Sequence, residues 1–322
     1  MKKSKDAEQT GAQLKQNVLS RKKKRLIFYA IIMAYPLLQV AVFYCYQNFS
    51  SILLAFQKHT VDYVEGTYTI TTTLSNFSEA WNRFINSGEM IKNSLVMFLI
   101  TIVVSMNLAL IFSYYIYKRC PGSGIFKVML FMPQMISGVV FVMLFKYITD
   151  DVYREIVVKI TGNQSAQGLL SNPETKLWVV IFYNVWVSFG TNVLMYTGTM
   201  SGINESVVEA CELDGANIIQ EFFYITFPNI YSTYVTFLIV QMAAIFTSTM
   251  NLHTFFGSNS VYKTIGYDIY INTLEADVFV ESGSKLMPYP VISAYGLILT
   301  VIVAPITVLI RKLLEKIGPS VD

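Results

Sequence analysis

Six apolar runs, each of roughly 20 residues, constrain the fold of this chain more than any other feature. They cover approximately Leu26 to Tyr46, Ser94 to Tyr117, Ile125 to Tyr147, Leu177 to Met200, Ile230 to Met250 and Val291 to Ile310. A helix rises about 1.5 Å per residue, so each run is about long enough to cross the ~30 Å hydrocarbon core of a bilayer. Within that core a helix satisfies its own backbone N–H and C=O groups, which an isolated strand or loop cannot do. Only 14% of the residues are charged, against about 25% in a soluble domain, and the mean hydropathy is +0.47. The expected fold class is all-α, a polytopic membrane protein with about six transmembrane helices.

Charge sets the orientation of those helices. Arg21, Lys22, Lys23, Lys24 and Arg25 stand directly before the first run, and a basic cluster there holds the N-terminus in the cytoplasm. The first run is long, carries Pro36 and Gln39, and is not closely followed by a small-residue cleavage site. It reads as a retained anchor, not a cleaved signal peptide. Six crossings then return the C-terminus to the same side. Lys118, Arg119 and Lys127 fall inside after the second run, Arg311, Lys312 and Lys316 after the sixth, and 15 of the 24 Lys and Arg lie on the inner side. The expected organisation is a cytoplasmic basic tail at 1–25, a first transmembrane helix at 26–46 and an extracellular loop at 47–93. A core with five transmembrane helices follows at 94–310, including a cytoplasmic loop at 201–229, and a cytoplasmic tail ends the chain at 311–322. A basic run also suits nucleic acid. Placed against a membrane span it suits lipid headgroups instead, and no nucleic-acid partner is expected.

The outer loops are long. His59 to Met90 is rich in Thr, Tyr and Asn, with strand-like pieces around Tyr68 to Thr73. Thr149 to Thr175 carries a turn at Gly162 to Ser165, and Asn251 to Pro290 contains Gly257, Gly266 and Gly283.

Little in the chain points to chemistry. No Gly-x4-Gly-Lys-Ser/Thr segment is present, so no phosphate-cradling loop is expected and ATP hydrolysis would need a partner. Cys45, Cys120 and Cys211 are scattered, and His59 and His253 are isolated, so neither a disulfide framework nor a metal site is expected. A membrane-embedded enzyme would need a convergent ionisable set, and a stand-alone channel or ion-coupled carrier would place charge in its spans. The centres of the last four runs hold uncharged polar groups instead. These are Gln134 and Ser137, then Asn184, Ser188, Thr191 and Asn192, then Gln241, Thr247 and Ser248. Such groups either bond helix to helix, at about 0.6 kcal/mol each, or line a cavity for a neutral, hydroxyl-rich solute. For the second role the contacts are Asn184, Ser188, Asn192, Gln241 and Ser248, with Tyr183, Trp186 and Phe246 available to stack on sugar faces.

The segment Ser201 to Asn229 is unusual for an inner loop, having no Lys or Arg and five acidic residues. A reason for that charge is docking onto a basic partner. Glu205 to Leu213 reads as a short helix, with Glu205, Glu209 and Glu212 on one side. Asp214 suits a turn, and Gly215 ends the helix at a reversal that needs its backbone freedom. Asn217 caps a second short helix, Ile218 to Ile225, and Pro228 starts the next span.

Glu209 to Pro228, EACELDGANIIQEFFYITFP, resembles the EAA loop of bacterial ABC-importer permeases. Glu209, Ala210, Asp214, Gly215, Ala216, Phe222, Ile225 and Pro228 fall in register with that pattern. Cys211 and Phe227 depart from it but stay apolar. The resemblance extends from about Ser94 to Ile310. FKVMLFMPQMISGVV, Phe126 to Val140, is similar to the third span of carbohydrate-type permeases, and Asn184 to Ala216 to their fourth span and coupling loop. The added first span is similar to the maltose-F-like or glycerol-phosphate-A-like subunit. Lys146 and Tyr147 stand where those subunits usually carry Trp. The resemblance implies the ABC type I importer permease fold and a bacterial cell-membrane location. It also implies a sugar or oligosaccharide substrate, with another small solute as the alternative. The implied partners are a second permease subunit, two cytoplasmic ATPase subunits carrying ATP and Mg, and an extracellular solute-binding protein. The coupling residues it implies are Glu209, Ala210, Asp214, Gly215, Ala216, Phe222 and Pro228, and it implies that part of the segment after the fifth span dips along the translocation path.

Overall fold

The computed structural model describes residues 22–62, 67–275 and 287–319. Residues Met1 to Arg21, Gly283 and Ser320, on which some of the expectations above fall, lie outside them. Long apolar helices dominate. The first, α1, runs Lys22–Ala55 and includes a π-helical stretch at Val40–Tyr46. A hairpin follows, β1 Gln57–Asp62 antiparallel to β2 Thr67–Thr72, with Gln57 opposite Thr72. Then come α2 (Ser75–Asn86), α3 (Gly88–Tyr117), α4 (Ser123–Met135), α5 (Gly138–Thr161) and α6 (Pro173–Met200). The remainder is α7 (Glu205–Leu213), α8 (Ile218–Ala243), α9 (Leu252–Phe256), α10 (Ile265–Glu275) and α11 (Tyr289–Ile317). Among the described residues five of these helices are long and apolar enough to cross a membrane, or six with the bent pair α4–α5 counted as one span, so the chain is a multi-pass, all-α membrane protein.

The third span is broken. Pro133 lies in the last turn of α4 and deprives the helix of a donor. Ile136 and Ser137 are then extended, and α5 leaves at 107° to α4. The 13 residues of α4 reach only about 20 Å, too short for the full core. The fifth span differs from expectation in the opposite sense. The short helix expected at Ile218 to Ile225 and the span expected from Pro228 are one helix, α8. A π-helical stretch at Phe222–Thr226 ends just before Phe227 and Pro228 and accommodates the missing N–H and ring of the proline, so Pro228 continues the helix. That helix stops at Ala243, and turns carry the chain through Met250.

In lipid the apolar surface of one helix gains little by meeting another, so close backbone approach decides packing. α3 buries Thr101, Ser105, Ala109 and Ser113 at four-residue spacing. That small-residue stripe admits α6, and the Ser113 hydroxyl donates to the Val193 carbonyl at 3.0 Å. α4 lies against α6 at Gly190, where a Cβ would stand 2.2 Å from the Leu130 carbonyl oxygen. On the membrane face away from α7, the ends of the helices are pinned together. The Asn76 amide donates to the Ala55 and Gln57 carbonyls at 2.9 Å. Arg83 donates to both carboxylate oxygens of Asp268, at 2.8 and 3.0 Å, and the Ser94 hydroxyl accepts from the Ile265 N–H at 2.9 Å.

Candidate functional site

The acidic segment folds as a knob between α6 and α8. Asn204 caps α7 by accepting from the Ser206 N–H. At the other end the Gly215 N–H donates to the Glu212 carbonyl and the Ala216 N–H to the Cys211 carbonyl, the paired bonds of a Schellman stop. Gly215 has φ +81° with open space around the site of a Cβ, so backbone conformation alone demands glycine there. Asn217 and Gln220 then form a reciprocal capping box, both bonds at 2.9 Å, which starts α8.

An ion pair fastens this knob to the membrane helices. Lys118, just past the end of α3, lies 2.7 Å from Oε2 of Glu221 and 3.1 Å from Oε1 of Glu212. Glu221 is 3% exposed and Glu212 59%. Burial works against the Lys118 ammonium, but hydrogen bonds to Glu221 and Glu212 and the charges of both outweigh it and hold the group above its ordinary value. The Tyr114 hydroxyl donates to the Ile218 carbonyl at 3.1 Å, and the Tyr114 ring meets Phe222 edge-on at 5.0 Å. Phe222 is thus the apolar root of the knob and Glu221 its polar root. Sequence reasoning reached Phe222 through the motif register, used Lys118 only as an inner-side charge, and did not single out Glu221. The signal available was an acid one residue before Phe222 and a lysine at the end of the preceding apolar run.

The outer face of the knob is exposed. Glu205, Glu209, Ala210, Glu212, Asp214 and Gly215 are open, and Ala216, Ile225 and Pro228 are half-buried. Leu213 is 89% exposed, and Ile218, Ile219 and Tyr224 are also open. Four carboxylates beside exposed aliphatic and aromatic groups make a face suited to a basic partner with an apolar pocket.

The polar residues expected along a solute path sort into two kinds. Asn184 donates to the Val180 and Met250 carbonyls at 2.8 and 3.0 Å and accepts from Asn251 at 2.9 Å. It ties α6 to the turn after α8. Ser188 bonds back to the Asn184 carbonyl at 2.7 Å, and Ser248 accepts weakly from the Met250 N–H. Asn192 is 6% exposed, and among the described residues neither its amide N–H2 nor the hydroxyl of Tyr196 one turn on has a partner. Gln241 is half-buried on α8. Of the rings expected to stack on sugars, Tyr183 and Phe246 are packed into the core and Trp186 is half-buried against it. Tyr183 meets Phe255 at 5.0 Å and Phe141 at 5.5 Å, Trp186 meets Phe141 at 5.3 Å, and Phe246 is 8% exposed. Lys146 donates to the Phe255 carbonyl at 3.2 Å, holding α9 against α5.

Residues 108–322 match the family described as binding-protein-dependent transport system inner membrane component. Curated relatives include the probable ABC transporter permease protein YesP of Bacillus subtilis, 26% identical over 48% of this chain and 50% of that protein. The maltose/maltodextrin transport system permease protein MalF of Escherichia coli is 24% identical over 50% of this chain and 32% of MalF. The arabinooligosaccharides transport system permease protein AraP of Halalkalibacterium halodurans is 22% identical over 64% of this chain and 63% of AraP. The chain thus spans about half the length of the curated relatives it matches. Among solved structures, a chain of a bacterial ABC transporter involved in the import of the acidic polysaccharide alginate shares the fold, with a TM-score of 0.70 over 94% of this chain and 100% of that one, at 18% identity.

Proposed function

The chain belongs to the inner membrane components of binding-protein-dependent transport systems, and from that membership we propose that it is the permease subunit of an ATP-driven importer for a sugar or oligosaccharide. The observation that carries this reading is the exposed acidic and apolar knob rooted in the spans through Glu221 and Phe222. In this reading two cytoplasmic ATPase subunits supply the energy and hold the ATP and Mg. A second permease subunit completes the pore, and an extracellular solute-binding protein delivers the ligand. The knob, and with it both termini, face the cytoplasm. The C-terminal end of α11 supports that common side, since the Tyr231 hydroxyl on α8 donates to the Leu314 carbonyl at 2.9 Å.

Coupling follows from how the knob is built. Glu209 and Asp214 present charge to a basic ATPase surface, and Ala210, Gly215 and Ala216 keep the face low enough for close approach. A push on that face passes through the Lys118 ion pair to α3 and through the unbroken α8 to the fifth span. Phe222 and Pro228 lie within that rod. The saccharide assignment draws on the names of the relatives and on the free Asn192 amide, a group that pairs with hydroxyls. The test is reconstitution. Uptake should appear only when this chain is combined with an ATPase pair and a second permease, and it should be competed by saccharides. Transport by this chain alone would end the proposal. Competition by a charged amino acid, with none by any sugar, would reject the saccharide while leaving the importer standing.

A further inference from the structure

A groove of about 310 Å³ opens between α4 and α6 on the half of the membrane that holds the knob. Val128, Phe131, Met135, Val193 and Leu194 make its walls. Gly190 lies at its depth, where the two backbones touch. Its rim is different. Lys127, one turn into α4, stands there with Thr197, one turn before the end of α6. Lys127 is exposed and has no ion-pair or hydrogen-bond partner among the described residues. The Thr197 hydroxyl is buried and also has no partner among the described residues. An apolar slot that runs inward from a lone cation and an orphan hydroxyl matches a phospholipid in all three parts. The slot takes an acyl chain, the ammonium meets the headgroup phosphate, and the hydroxyl, once turned outward about its side-chain bond, meets an ester or phosphate oxygen. Basic pockets between transmembrane helices on the cytoplasmic side recur as sites for anionic headgroups. Val128, 65% exposed, and Met135, 75% exposed, continue the walls onto the outer surface of the helices, so the groove is open along its side.

We propose that this groove is a site for one anionic phospholipid of the inner leaflet, held by Lys127 and Thr197. The leaflet rests on the proposed orientation of the knob, whereas the occupant does not.

The test uses the assembled transporter in nanodiscs of phosphatidylcholine with phosphatidylglycerol. p-Benzoylphenylalanine at Leu194, on the groove wall, is photolysed and the adducts are weighed. The expected product is a phosphatidylglycerol adduct in excess of its share of the bilayer. Lys127→Gln should lower that excess about fivefold, the effect of roughly one surface charge, while Lys127→Arg should keep it. Inorganic phosphate should not compete. An adduct to a peptide of the second permease would overturn the proposal and mark the groove as a subunit interface. Adducts in proportion to bulk lipid, unchanged by Lys127→Gln, would also overturn it. Transport activity is not the readout, so failure of this site is separate from failure of the importer assignment.

Discussion

Replacing Lys118 with methionine should free the knob from the membrane helices. Methionine keeps the length and apolar stem of the side chain and removes the charge. Glu221 is then left with a carboxylate 3% exposed, and its Oε1 already lacks a partner among the described residues. Breaking a buried pair from one side costs about 3–5 kcal/mol, because the abandoned charge stays buried. Lys118 is itself 21% exposed, so water screens part of the pair and the lower end, about 3 kcal/mol, applies. That raises the population of detached knob by about a hundredfold. The segment has no Lys or Arg, so a Glu-specific protease is the reporter, cutting after Glu209 and Glu212. Cleavage in inside-out vesicles should accelerate by about that factor, and uptake per ATP hydrolysed should fall. The double variant Lys118→Met with Glu221→Gln should recover most of the protection, since neither charge is then stranded. If Lys118→Met alters neither cleavage nor coupling, the Tyr114–Phe222 contact suffices and the ion-pair reasoning is wrong.

Other outcomes follow from the same geometry. Gly215→Val, forced to φ +81°, should strain the reversal by about 1–2 kcal/mol or more, and ATPase activity should persist while uptake is lost. With Lys118 held above its ordinary value of 10.5, the ion pair is fully present below that value and is lost only as pH rises through the raised one, so knob protection should stay flat from about pH 6 to about pH 9. Asn184→Ala removes the links to Met250 and Asn251 and should lower thermal stability, whereas Asn192→Ala removes an unpaired amide and should weaken solute affinity with stability unchanged. Cysteines at Thr69 and Gly162 should be labelled from outside intact cells, and those at Ser123 and Asn217 should not; external labelling at Asn217 would invert the orientation.

What was legible in the chain was whatever rests on local pattern. Apolar length located the five long helices and the bent pair α4–α5, because a helix in lipid must be apolar along about 20 residues. The motif register and the preferences of Gly215 and Asn217 located the knob, because caps and stops depend on a few adjacent residues. Three features were not legible, each for a nonlocal or conformational reason. A proline inside an apolar run marks either a break or a continuation. Pro133 precedes extended backbone at Ile136 and Ser137, while Pro228 is absorbed by the π-helical stretch before it. Composition does not separate the two. Nor does it separate a polar group that joins helices from one that faces a solute. Asn184 and Asn192 are eight residues apart on one stripe of α6, and only the arrival of Met250 and Asn251 beside the first makes it structural.

The third feature matters most for the proposed mechanism. A short loop pushed by an ATPase would flex unless something made it rigid with the spans. Motif residues such as Glu209 and Gly215 shape the pushed face but do not provide that rigidity. It comes from Glu221 meeting Lys118, 103 positions away in sequence, and from α8 continuing without a break through Pro228. The acid excess in the loop therefore has two parts with different work. Glu205, Glu209 and Asp214 are open and suit a partner, while Glu221 is closed and holds the lever, with Glu212 between them touching Lys118 from the surface. Charge reversal at Glu209 should accordingly weaken association with the ATPase and leave the knob folded. The neutral change at Glu221 should leave association intact and loosen transmission. If both changes gave the same defect, the division of the loop into a docking face and a root would not stand.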